Sequence, residues 1–146
     1  MMATTTATVS ISSTDLQPGN TLSISASSTL MQAGLTTGLT QVESGVVSLA
    51  TGTEFRLGPL ATEISGSAHD IGSYLYICNT ATDATFYTEF GIHETVIGRL
   101  YAGDWMFIPW NASDDDAEVE LEAINGAQAI EYAWFNNDFV LTTAAS

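Results

Sequence analysis

The chain contains no lysine. Arg56 and Arg99 are its only fixed cations, set against 17 aspartates and glutamates, so its formal charge at pH 7 is -15. Neutralising phosphates takes clustered Lys and Arg, which excludes nucleic acid as an expected partner. An anionic membrane surface repels such a chain for the same reason. No run approaches the roughly 20 apolar residues of a spanning helix, so no membrane partner is expected either. The single cysteine, Cys78, leaves no internal disulfide and no thiol set for structural zinc. Histidine is nearly missing too: His69 and His93 are the only two, each followed by a carboxylate, Asp70 or Glu94. Adjacent residues on a strand point to opposite faces, so neither dipeptide makes a dyad by itself. A Gly-x-Ser-x-Gly elbow, a Ser-x-x-Lys pair and a glycine-rich phosphate loop are all absent. The expectation is a non-enzymatic chain without cofactor or metal. The opening "MMATTTATVSISS" has neither a charged n-region nor a continuous apolar h-region, so it is not read as a secretory signal.

What the chain does contain is hydroxyl, amide and β-forming residues. Charged residues make up 13%, about half the usual share, so Ser, Thr, Asn and Gly must wet the surface. Residues 1–53 carry short alternating pieces, "TATVSIS", "TLSISAS" and "GVVSLATG", with Pro18 and Gly19 placed for the centre of a type II turn between the first two. From Glu54 on the strands are stronger: "EFRLG", "SYLYICNT", "TFYTEFG", "TVIGRLY", "DWMFIPW", "AEVELEAI" and "QAIEYAWF". Their spacing of roughly 8 to 12 residues, with no helical periodicity sustained over three turns, predicts an all-β protein. The expected architecture is an antiparallel β-sandwich, jelly-roll-like, over residues 54–137. Residues 1–53 form an arm or extra strands, and residues 138–146 form a tail.

Three constellations carry the expectations about sites. In "AEVELEAI" the carboxylates of Glu118, Glu120 and Glu122 share one strand face. With Asp114, Asp115 and Asp116 upstream they invite a calcium reading. Calcium needs six to eight converging oxygens, however, and a flat stripe does not converge them, so the stripe is read as a solvated face that deters edge pairing. Arg99 is expected to pair with this stripe, at Glu118 or Glu120, or with Glu131. In "DWMFIPW" both faces are apolar: Trp105, Phe107 and Pro109 lie on one side, and Met106, Ile108 and Trp110 on the other. One face fills the core, and the second needs a cover. The Met106, Ile108 and Trp110 face is expected at a contact between copies, in a trimer or dimer. Phe139, Val140 and Leu141 of the tail are expected to dock on a neighbour. A sugar stacked on Trp105 or Trp110 is the alternative occupant.

The pieces "LYICNT", "IGRLYAGDWMFIPW" and "IEYAWF", in that order, with an opening "MATTTATVSISSTDL", resemble small virion structural proteins of tailed bacteriophages, notably those of cyanobacteria and marine hosts. The resemblance departs at Cys78, where similar sequences carry a charged residue. It implies a non-enzymatic part of the particle, made in the host cytoplasm and resident in the virion. A decoration or cement protein on the capsid exterior, in contact with the major capsid protein or other virion proteins, is favoured over a tail or fibre component. A carbohydrate-binding β-sandwich is the reading from a different class.

Overall fold

The computed structural model describes residues 4–30, 41–57, 64–65, 72–111, 118–136 and 140–141. They form twelve strands: β1 (Thr5–Gln17), β2 (Asn20–Leu30), β3 (Gln41–Leu49), β4 (Glu54–Leu57), β5 (Ile64–Ser65), β6 (Gly72–Asn79), β7 (Tyr87–Ile92), β8 (Thr95–Tyr101), β9 (Trp105–Asn111), β10 (Val119–Ile124), β11 (Gln128–Asn136) and β12 (Val140–Leu141). Two four-stranded antiparallel sheets run β4-β10-β7-β8 and β3-β11-β6-β9. The described part is all-β and antiparallel, as the alternation predicts. Counted in chain order among these eight strands, one sheet runs first, eighth, third, sixth and the other second, seventh, fourth, fifth.

The core is one cluster fed by both sheets. Val119, Leu121 and Ala123 of β10 and Leu100 of β8 come from one sheet; Leu49, Leu75, Ile77, Trp110, Ile130 and Trp134 come from the other. Each inward set is every second residue of its strand, the signature of a sheet with one face buried. On β6, Leu75 and Ile77 are fully buried, whereas Tyr74, Tyr76 and Cys78 lie on the outer face. Register then decides β9: Leu75 stands opposite Ile108 and Ile77 opposite Met106. The Met106, Ile108 and Trp110 face is therefore the core face. Trp110 is 5% exposed, and its ring lies 6.1 Å from that of Trp134. This corrects the expectation of a subunit contact there. Both faces of "DWMFIPW" are apolar, so its own alternation cannot say which one points inward; the partner strand does.

The sandwich begins earlier than residue 54. The chain divides into units of residues 1–39 and 40–146, and β3 pairs along its whole length with β11. Only β1 and β2 remain for the N-terminal segment. They form a long two-stranded hairpin in which Pro18 and Gly19 occupy the turn, with Gly19 at φ 83°. At the other terminus, Val140 and Leu141 pair with Ser65 and Ile64 of the same chain, while Phe139 lies outside the described residues.

A buried polar node ties the two sheets together. The Asn79 amide donates to Leu100 O at 2.9 Å and to Gln128 Oε1 at 2.7 Å, and Thr88 Oγ1 donates to the same oxygen at 3.1 Å. Gln128 Nε2 faces the carbonyls of Tyr87, Ile124 and Gly126. Burying these amides costs little because their donors and acceptors are matched.

Candidate functional site

Two outer faces remain once the core is accounted for, and they differ in chemistry. On the β4-β10-β7-β8 sheet the acidic stripe is not solvated as expected: Glu118 is buried, and Glu120 is 7% exposed. β4 supplies the reason, because register sets Arg56 directly opposite Glu120. Arg56 Nη1 donates to Glu118 Oε1 at 2.7 Å, its Nε donates to Glu54 Oε1 at 3.0 Å, and Nη2 lies 3.4 Å from Glu120 Oε1. These three carboxylates hold the guanidinium's proton more firmly than usual, the hydrogen bond to Glu54 most of all. The β7–β8 turn closes over the same spot. His93 and Glu94 both have positive φ, 46° and 63°, as a type I′ hairpin turn requires at its two central positions, although Asn-Gly is the usual choice there. Glu120 Oε2 accepts from the Glu94 N–H at 2.9 Å, and His93 N donates to Glu118 O at 3.1 Å. The buried Glu120 carboxylate and the Glu118 carbonyl therefore fasten an unfavourable turn.

Arg99 does not take part. β7 separates β8 from β10, and register places Arg99 opposite Glu89. Its Nε donates to Glu89 Oε1 at 3.1 Å, and its guanidinium sits 4.7 Å from the Tyr87 ring centre. Glu131 belongs to the other sheet, opposite Val46 and Cys78. The expected pairing of Arg99 with Glu118, Glu120 or Glu131 is thus replaced by Arg99–Glu89 and by Arg56 with Glu118 and Glu120. Sequence reading missed Arg56 as the partner because β4 precedes β10 by some 60 positions and nothing local signals their pairing.

Beside this cluster is an open hollow of about 230 Å³ lined by Glu54, Glu89, Glu94, Glu120 and Glu122, among others. Among the described residues no three His, Cys, Asp or Glu side chains gather to hold a metal ion. Asp114 to Asp116, His69 and Asp70 lie outside the described residues.

The outer face of β3-β11-β6-β9 is apolar and aromatic. Register lays it out in rows across the four strands: Val42, Phe135, Tyr74 and Pro109; then Ser44, Ala133, Tyr76 and Phe107; then Val46, Glu131, Cys78 and Trp105. Tyr74 and Phe107 stack with ring centres 5.6 Å apart and planes 4° from parallel. Val46 is 66% exposed and Trp105 52%. Glu131 is the one carboxylate in these rows. Burial, and then the neighbouring Cys78, push the Tyr76 hydroxyl up to about 12, so this ring stays protonated well above neutral pH. Of the residues singled out for a surface role, the structure leaves Trp105 outside and takes Trp110 inside. Neither a protein-family model nor a curated protein matches this chain. Among the described residues no helix is long and apolar enough to cross a membrane.

Proposed function

We propose that this protein is a non-enzymatic structural protein of a phage particle, a jelly roll that decorates the capsid exterior and acts through protein–protein contacts. The observation that carries the reading is the outer face of β3-β11-β6-β9, a four-stranded surface whose exposed Val42, Val46 and Trp105 flank a stacked aromatic pair. Contiguous apolar surface of that kind marks an interaction site. The strand order of the two sheets matches the eight-stranded roll of two Greek keys used by capsid and lectin domains. The resemblance carried by "LYICNT" and "IGRLYAGDWMFIPW" adds the particle. The two carboxylate-rich features, the Arg56 cluster and the hollow, fit a structural use, since Glu118 and Glu120 are already spent on Arg56 and the β7–β8 turn.

The test is addition of purified protein to phage particles assembled without it. Saturable, stoichiometric binding that raises the temperature at which the shell opens supports decoration of the head; cryo-EM density on the tail alone moves the site to a tail or fibre component. Failure to bind particles overturns the reading. One observation, the exposed Trp105 indole, favours sugar binding as a second reading. Quenching of Trp105 emission by glycans, lost in Trp105→Ala, would establish it.

A further inference from the structure

We infer that the outer face of β3-β11-β6-β9 pairs with the same face of a second copy of this chain, across a two-fold axis near Ala133 and Tyr76. The inference rests on the reading of that face as an assembly surface and names its occupant. Charge makes the first argument. Two copies at -15 each repel one another, and repulsion is least where carboxylates are fewest. The β4-β10-β7-β8 side presents Glu54, Glu89, Glu94 and Glu122 around its hollow, so copies approaching there oppose acid to acid. The other side offers Glu131 alone among the residues laid out above. A basic partner would be drawn to the acidic side instead.

Register makes the second argument, because it locates Glu131 off centre. It stands two residues before Ala133 on β11, roughly 7 Å along the strand at about 3.4 Å per residue. A two-fold axis near Ala133 and Tyr76 sends the two copies of Glu131 to opposite sides, roughly 14 Å apart, beyond the ~8 Å screening length at physiological salt. The same axis lays the Tyr74–Phe107 stack and Trp105 of each copy against the other's apolar rows. Isologous contacts of this kind need one self-complementary patch.

Size fits a weak pair. Four strands at about 4.8 Å spacing, over roughly seven residues each, give a projected face of about 430 Å². Two such faces cover about 860 Å² in total, at the low end of the range, where weak and transient complexes sit. A small, mainly apolar interface of this area predicts a weak dimer that dissociates on dilution.

The experiment is sedimentation equilibrium of the full chain, with near-ultraviolet circular dichroism as the check on folding. The wild-type protein is expected to dimerise, Ala133→Glu to be monomeric, and Val96→Glu, on the opposite sheet, to dimerise like wild type. Val46→Asp, at a position already two-thirds exposed, guards against misfolding of the first variant and is expected to weaken dimerisation at least tenfold. A wild-type monomer at all concentrations, or a dimer unaffected by both Ala133→Glu and Val46→Asp, overturns the inference. Binding of the same proteins to particles separates the two levels. If the wild type is monomeric yet Val46→Asp loses particle binding, the second copy is wrong and the assembly surface stands; if neither association exists, both fall.

Discussion

Gln128 is the residue on which most of the buried polar bookkeeping turns. Gln128→Leu keeps the bulk but leaves the carbonyls of Tyr87, Ile124 and Gly126 without that donor, and Asn79 and Thr88 without a shared acceptor. Unpaired buried groups cost about 1–3 kcal/mol each. A loss on the order of 3 kcal/mol is expected from the urea midpoint at constant slope. The two arginines are expected to differ. Arg56→Ala strands Glu118 and Glu120, both largely inaccessible to water, whereas Arg99→Ala frees Glu89, which water reaches more easily. The thermal midpoint should fall more for Arg56→Ala, and Glu118→Gln added to it should recover part of the loss; equal effects would show that burial of the carboxylates is immaterial. Tyr76 gives a pH signature. Its hydroxyl ionises near 10 in the unfolded chain and near 12 when folded, so the folded state keeps a proton that the unfolded state releases. Stability from this source is complete below about pH 10 and is lost as pH rises towards 12. Tyrosinate absorbance should show a late-titrating component that disappears in Tyr76→Phe. At this scale the sequence told part of the story. The alternation of Glu118, Glu120 and Glu122 was legible, but whether that face is wet depends on Arg56 and on the turn at His93–Glu94, brought in from distant strands.

At the level of strands, legibility was high wherever alternation was strong. Every segment picked out from "EFRLG" to "QAIEYAWF" is a strand, because β-branched and aromatic residues at every second position leave few other arrangements. By its Ser and Gly content, the piece "GVVSLATG" groups with the N-terminal segment. It belongs instead to β3, whose Val47 and Leu49 face the core while Val42 and Val46 stay outside. Composition shifts mark texture, and pairing partners decide membership. The β1–β2 hairpin is a different case. It carries one apolar side, with Val9, Ile11, Leu22, Ile24 and Ala26, and one hydroxyl side, with Thr8, Ser10, Ser23, Ser25 and Ser27. It forms a unit of its own, and a chain beginning at Thr40 retains every strand of the two four-stranded sheets. All three tryptophans lie in that part, so its near-ultraviolet circular dichroism is expected to match the full chain. A collapsed spectrum would mean that the sandwich leans on the hairpin.

For the molecule as a whole, the scarcity of cations bears on the proposed pairing of copies. Association through a nearly uncharged face between strongly acidic bodies should tighten as salt screens the surrounding carboxylates, and again as pH falls towards the isoelectric point near 4.1. Interfaces built on ion pairs respond in the opposite sense, so a dissociation constant that rises with added salt would contradict an apolar contact. The placement of the indoles makes these events separable by light. Trp110 and Trp134 stand 6.1 Å apart at 49°, close and skewed enough for their excited states to mix, while Trp105 looks outward on the opposite face of the same sheet. The coupled pair gives an exciton band in circular dichroism that survives only while the interior is packed. Emission from Trp105 shifts only when its own surface is covered. The protein thus carries two optical probes, one for its interior and one for its company, with no label added.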